Sequence, residues 1–313
     1  MHIISIVGPT AVGKSAVAFA LAEEFLSNGT VTGVDLISAD SRQVYKGLEI
    51  LSGADEPPTN PNIRLHGVSI VQPTEEWSLA HFHQLAHRLI ENGENENRVV
   101  IVVGGTGLYQ SQLLQSEIEG QAPPLTDVRE KAEGMSVSEL QAWLAELDGK
   151  AVANLNQSDI SNPRRLVRAI ERALWLQKKP SVKNVPSKHT QQFFGLQTTK
   201  EDLVERIRQR VKQRLEQGVV SEVALLEARL EELGTPLTSL PAHSACGLRE
   251  VLAFSRGEIE REQCIDLWTQ REVAYAKRQA TWWKKYPDVQ WFDITDKDWL
   301  EKLVATASDS ISR

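Results

Sequence analysis

The chain has 313 residues and a formal charge of −7, and its 41% hydrophobic and 25% charged content belongs to a folded globular chain, not a disordered or fibrous one. That length accommodates one large core, or a moderate core with an inserted domain. No apolar run approaches a membrane span and no cationic leader precedes the first strand. Cys246 and Cys264 lack partners at metal-ligand or disulfide spacing, so the expectation is a cytoplasmic protein with reduced thiols, no zinc site and no membrane partner.

The first element is an apolar run at 3–7 that leads into Gly8-Pro9-Thr10-Ala11-Val12-Gly13-Lys14-Ser15, a G-x-x-x-x-G-K-S loop, and then into the helical pattern AVAFALAEEF. In that context Gly8 and Gly13 let backbone N–H groups turn inward around a phosphate, Lys14 neutralises phosphate charge, and Ser15 can ligate Mg²⁺. A second run at 34–38 ends in ADSRQVY, where Asp40 can be a Mg²⁺ ligand, a general base or a helix N-cap. A third, at 99–103, ends in GGTGLYQ, whose paired glycines allow close backbone approach and whose Thr106 offers a hydroxyl. Helical patterns between these runs make βαβ units. The expected fold is therefore α/β, a P-loop NTPase-like core with a central parallel sheet flanked by helices and its loops at the strand carboxyl ends.

Near residue 120 the stretch GQAPPLTD breaks this alternation, and SVSELQAWLAELD and RRLVRAIERALWLQ follow as helices without a strand between them. This predicts an inserted all-helical domain at 116–189 between core segments 1–115 and 190–313. The overall charge argues against a nucleic-acid partner, but its distribution does not. Arg164, Arg165, Arg168, Arg172, Lys178, Lys179, Lys183 and Lys188 stand against Glu171 alone over 164–188, so a basic face is expected on an acidic protein. FFGLQTT returns as a strand. EDLVERIRQRVKQRLEQG then reads as a helix with Leu203, Ile207, Val211 and Leu215 at spacing four, an Arg-rich opposite face and Gly218 as its stop. The remainder is mostly helical, through EVALLEARL, LREVLAFSRG and REVAYAKRQATWWKKY, before a late strand VQWFDI. Trp282 and Trp283 fit either core or base stacking.

The loops GPTAVGKS, ADSRQVY and GGTGLYQ, followed in order by RRLVRAIE, LVERIRQRV, CGLREVL and AKRQATWW, resemble the tRNA dimethylallyltransferase family of the bacterial type, also called tRNA isopentenyltransferase. The resemblance implies Mg²⁺-dependent transfer of a dimethylallyl group from dimethylallyl diphosphate to N6 of the adenosine 3′ to the anticodon. The P-loop would then hold a diphosphate that leaves. It implies Asp40 as the base, with Thr106 and Lys14 as its catalytic companions. Diphosphate binding would fall to Gly8, Thr10, Ala11, Val12, Gly13, Lys14 and Ser15 with Arg206 or Arg210, and metal ligation to Ser15. Around the extruded adenosine it implies Asp40, Ser41, Arg42, Gln43 and Thr106, with Gln43 reading the Watson–Crick edge. Arg164, Arg165, Arg168, Gly247, Arg249, Lys277, Arg278 and Gln279 would grip the anticodon stem and loop. A monomer is the family expectation.

The chain departs from the family pattern in four places. LSGADEPPT puts Asp55 and Glu56 where a Lys is expected, Gly247-Leu248 replaces Gly-Tyr, Glu272-Val273 replaces Thr-Arg, and the insert is short. These changes concern tRNA grip and the channel rim, and the three loops are intact. Three alternatives are an isopentenyltransferase for free adenine nucleotides, a P-loop small-molecule kinase, and a tRNA-binding protein without activity. The basic insert and AKRQ speak against the first, the lack of a lid with paired arginines against the second, and the intact Lys14, Asp40 and Thr106 against the third.

Overall fold

The computed structural model describes residues 1–114, 122–178 and 187–311, so Lys179 and Lys183 of the basic run lie outside the described residues. The chain divides into two compact units, residues 1–114 with 188–313 and residues 115–187.

The first unit begins with β1 (His2–Val7), α1 (Lys14–Ser27), β2 (Gly33–Ser38), α2 (Glu49–Ser52), β3 (Ile63–His66), α3 (Leu79–Glu96), β4 (Arg98–Val103) and α4 (Gly107–Gln112). The second unit supplies α5 (Thr126–Ala132), α6 (Val137–Leu147), α7 (Gly149–Asn154), α8 (Gln157–Ile160) and α9 (Pro163–Lys178). The chain then returns to the first unit with β5 (Thr190–Gln197), α10 (Lys200–Glu216), α11 (Val219–Glu232), α12 (Leu248–Ser255), α13 (Arg261–Trp283), β6 (Val289–Asp293) and α14 (Trp299–Ile311).

The strands form one parallel sheet in the order β3-β2-β4-β1-β5-β6. A sheet covered on both faces needs strands that are apolar throughout, and β1 and β4 read that way. Ile4, Ile6, Ile101 and Val103 face Val17, Leu21 and Phe25 of α1 and Leu303 of α14. Their neighbours Ile3, Val100 and Val102 face Phe82, Ala86 and Ile90 of α3. A separate helical layer from α11, α12 and α13 packs on Val44, Tyr45 and Leu51, behind the loop that follows β2. One detail differs from the sequence reading. β3 is an edge strand of four residues whose Arg64 and His66 interrupt any apolar run. Gly218, with φ 97° directly after the Gln217 C-cap, stops α10 as expected and is also the N-cap of α11.

β2, β4 and β1 are adjacent, and this brings their three loops to one sheet edge. A buried ion pair ties β4 to β2, with β3 joining through His66. Arg98 donates from Nε to Asp35 Oδ2 at 2.7 Å and from Nη2 to the Val34 carbonyl at 3.0 Å, while His66 Nε2 lies 2.8 Å from Asp35 Oδ1. Burial by itself would raise the Asp35 carboxyl, but hydrogen bonds from His66 and Arg98 outweigh it and hold the group below its ordinary value.

The second unit closes around Val128, Leu140, Leu144, Leu166 and Ile170. Its buried Glu171 accepts from the Leu125 N–H and from Arg129 Nε, each at 2.9 Å, and from Arg168 Nη1 at 2.9 Å. This ties the start of α5 to α9.

Breaking a buried pair leaves an uncompensated charge, so Asp35→Asn is expected to cost about 3 to 5 kcal/mol in urea unfolding at pH 7. Because the native carboxyl is depressed, its contribution is present at neutral pH and lost as pH falls through its native value. The gap between wild type and variant should therefore close on acidification, and a gap independent of pH would refute the assignment.

Candidate active site

A cavity of about 670 Å³ opens at the carboxyl edge of β1, β2 and β4 and is lined by residues of all three loops, of α10 and of α13. Its walls carry six cations, Lys14, Arg42, Arg206, Arg210, Arg214 and Arg278, against the carboxylates Asp40, Asp55 and Glu272. The excess is positive. Gly13 caps α1, so the positive end of that helix dipole adds to the same wall.

The P-loop contributes Thr10, Ala11, Gly13, Lys14 and Ser15 to the lining. Ala11 sits at φ 63°, a left-handed conformation that a residue with a Cβ adopts at a cost and that recurs at functional turns. Gly8 and Val12 are not in the lining. Gly8 packs under the Leu196 carbonyl of β5, and the Val12 side chain is buried in the core. Lys14 Nζ is buried and donates to the Pro9 carbonyl at 2.6 Å. Burial, assisted by the field of Arg210, lowers its pKa to about 8. Ser15 Oγ donates to Asp55 Oδ2 at 2.7 Å. Burial raises the Asp55 carboxyl, against the hydrogen bond from Ser15.

The second and third loops hold each other. Thr106 N–H donates to the Ala39 carbonyl at 2.9 Å, and Ser41 N–H donates to Thr106 Oγ1 at 3.1 Å. Asp40 Oδ1 accepts from the Arg42 N–H at 2.8 Å, so Asp40 closes a turn and does not cap a helix. A Cβ on Gly105 would lie 3.1 Å from Asp40 Oδ2 and 3.1 Å from Tyr275 Oη, and in collision with Gln279 Nε2. Only glycine admits these three groups together.

Arg210 donates to Thr10 Oγ1 at 3.2 Å and to the Gly53 carbonyl at 3.0 Å, which places its guanidinium in the cradle. Arg206 stands exposed at the mouth and pairs with Asp202 at 2.6 Å. Arg214, which sequence reasoning passed over, is buried and donates to Glu272 Oε1 at 2.9 Å. Burial and then Arg210 bring its pKa down to about 10, against the attraction of Glu272. Tyr275 was also missed. Nothing in its local sequence marks it, and only the turn of α13 that reaches the cavity reveals it.

Several residues expected to touch tRNA are engaged inside the protein. Gln43 is 9% exposed and lines the cavity; its Oε1 accepts from Ser38 Oγ at 2.7 Å and its Nε2 donates to the Gly53 carbonyl at 2.9 Å, which fixes the amide and leaves one N–H and one lone pair. Gln279 accepts from the Thr10 N–H at 2.7 Å and donates to the Gly105 carbonyl at 2.9 Å, which makes it a positioning residue between two loops. Gly247 caps α12 at φ 92° with its Cα against the buried Trp268 ring. Arg42 donates to the Pro241 carbonyl at 2.8 Å and to Ser244 Oγ at 2.7 Å. Arg168 serves Glu171, and Trp283 is core. Arg249, Lys277 and Arg278 are exposed in the first unit, and Arg164 and Arg165 are exposed in the second, where Arg165 pairs with Asp159.

A Gly-Lys-Ser loop opening a helix at the carboxyl edge of a parallel sheet, beside a cavity lined by cations, defines a P-loop fold with an anion-binding centre. The family model described as IPP transferase matches residues 43–286. The tRNA dimethylallyltransferase of Anoxybacillus flavithermus is 34% identical over 312 residues, covering 96% of this chain and 93% of that one. The crystal structure of the tRNA isopentenylpyrophosphate transferase from Bacillus halodurans superposes with a TM-score of 0.68 at 29% identity, covering 99% and 97% of the two chains. A eukaryotic dimethylallyltransferase acting on tRNA shares the fold at a TM-score of 0.82 and 23% identity, over 99% of this chain and 79% of that one. The chain belongs to the IPP transferase family.

An anion on this wall is held best while Lys14 keeps its proton. Affinity for a diphosphate monoester, whose own ionisation is complete by neutral pH, is expected to weaken by up to about tenfold per pH unit above the Lys14 value. Lys14→Met should bind weakly with a flat profile between pH 7 and 9, and isothermal titration calorimetry distinguishes the two.

Proposed function

We propose that the protein transfers the dimethylallyl group of dimethylallyl diphosphate to N6 of the adenosine immediately 3′ of the anticodon in tRNA, releasing diphosphate. The observation that carries this reading is one cavity with a turn-held carboxylate, Asp40, on one wall and the Lys14–Arg210 cradle on another. Family membership supplies the reaction class.

The residues act as follows in this reading. The diphosphate lies against Lys14, the N-terminal end of α1 and Arg210, which stabilise charge as it develops on the leaving oxygen. N6 of the flipped adenosine attacks the allylic C1; the N6–C1 bond forms, the C1–O bond breaks, and the N6 proton goes to Asp40 Oδ2. That oxygen accepts no hydrogen bond among the described residues, whereas Oδ1 is taken by the Arg42 N–H. An exocyclic adenine amine is a weak nucleophile, so alignment and a fixed base supply what the reaction lacks. Thr106 keeps the Asp40 loop in register through Ser41. Ser15 and Asp55 offer hard oxygen donors that suit Mg²⁺, which when bound supplies additional charge stabilisation to the departing diphosphate. The exposed Arg249, Lys277 and Arg278, with Arg164 and Arg165 of the second unit, are the cations available for phosphate contacts along the anticodon stem-loop.

The test is transfer of label from radiolabelled dimethylallyl diphosphate to unmodified tRNA, with AMP and ATP as parallel acceptors. Label is expected in tRNA alone, and Asp40→Ala should lower kcat by about 10²- to 10⁴-fold, the usual contribution of a general base. Label in the nucleotides would move the acceptor to free adenine nucleotide, and ATP consumption without label would make this a kinase site.

A further inference from the structure

Asp55 is the carboxylate of the cavity that neither takes the N6 proton, as Asp40 does, nor pairs with a guanidinium, as Glu272 does with Arg214. It lies in the stretch Ser52–Pro57 and turns inward, while its neighbour Glu56 is exposed. Buried acids elsewhere in the chain are matched by guanidinium groups: Asp35 by Arg98, Glu171 by Arg129 and Arg168, and Glu272 by Arg214. Asp55 has no such partner among the described residues. Lys14 and Arg210 are close enough to influence it, yet the bonds they make go elsewhere, from Lys14 to the Pro9 carbonyl and from Arg210 to Thr10 and Gly53. Its one hydrogen bond among the described residues comes from Ser15 Oγ, from the first turn of α1, and its Oδ1 accepts none.

An unpaired carboxylate in a cradle for a multiply charged anion repels that anion. The repulsion turns into attraction if the ligand arrives with a divalent cation, because a carboxylate and a hydroxyl 2.7 Å apart are hard donors that share such an ion readily. Building on the transferase reading, we propose that Asp55, acting with Ser15, makes the cradle selective for the metal complex of an allylic diphosphate and excludes the bare diphosphate. The protein's own cations are then insufficient for tight binding, and the divalent ion becomes obligatory at the binding step and not only during bond cleavage.

Calorimetric titration of dimethylallyl diphosphate without tRNA tests this, since no turnover occurs. It would be run in chelator and in excess Mg²⁺ with the wild type, Asp55→Asn, which still accepts from Ser15, and Asp55→Ser as a second neutral variant. Wild-type affinity is expected to rise by about 30-fold or more on adding Mg²⁺, whereas the neutral variants bind the metal-free ligand about tenfold tighter than wild type and gain only about threefold from the metal. A wild type that gains threefold or less, or a neutral variant with the wild-type metal dependence, overturns the proposal and leaves Asp55 as a lock on Ser15. Failure of wild type to bind the ligand at either metal level removes the transferase reading itself, a different result from binding with an unaltered metal dependence.

Discussion

The site depends on the spacing between two glycine-bearing loops, and one side-chain amide sets it. Gln279 reaches out of α13, takes the Thr10 N–H of the first loop on its oxygen and gives its own N–H to the Gly105 carbonyl of the third. Each loop emerges from a rigid strand, and β1 and β4 are hydrogen-bonded neighbours, so the amide joins two points that the sheet already holds close. Thr106 extends the fastening to the second loop through Ser41. Asp40 is thereby positioned by the backbone of its own turn and by the crowding around Gly105, without waiting for a ligand. Geometry of this kind suits a reaction whose difficulty is alignment.

Charge follows the opposite strategy. Lys14, Arg210 and Arg214 are gathered before any anion is present, and the Arg210 and Arg214 guanidinium groups both crowd against Gly53. Burial, and after it repulsion from Arg210, lowers the pKa of Lys14 to about 8 and that of Arg214 to about 10. An incoming diphosphate relieves that cost, so part of its affinity comes from strain already present in the free protein, and ligand binding is coupled to stability. The Asp35–Arg98–His66 group has no such task, and it is fully matched.

What the sequence revealed and what it concealed divide along physical lines. The three loops were legible because backbone chemistry demands particular residues at fixed offsets: a glycine where a Cβ would collide, and a Lys-Ser pair where a helix begins. Parallel strands and the helical insert were legible from apolar runs and their absence. β3 was not, because four residues on an edge with Arg64 and His66 carry no pattern. Arg214 and Tyr275, and the pairing of Glu272 with Arg214, were hidden for another reason: helix periodicity names a face, but only packing decides which turn of α10 or α13 reaches the cavity. The family resemblance placed Gln43 and Gln279 on the tRNA side, and an uncharged amide carries no local signal that it also braces a loop. Both brace loops here.

The pairing of Arg214 with Glu272 has a consequence for how this wall can change over evolution. The family resemblance places Thr-Arg where this chain has Glu272-Val273, and here the acid is matched by a guanidinium from a different helix, 58 residues away in sequence. Arg214 also donates to the Ser52 carbonyl and lies 5.6 Å from the centre of the Trp268 ring, so it is built into the wall on three sides. Neither position can drift alone, since an intermediate with one partner would carry an unmatched charge in a low-dielectric wall. The two sites therefore form a single heritable character, reached and abandoned together, and relatives are expected to carry both residues or neither.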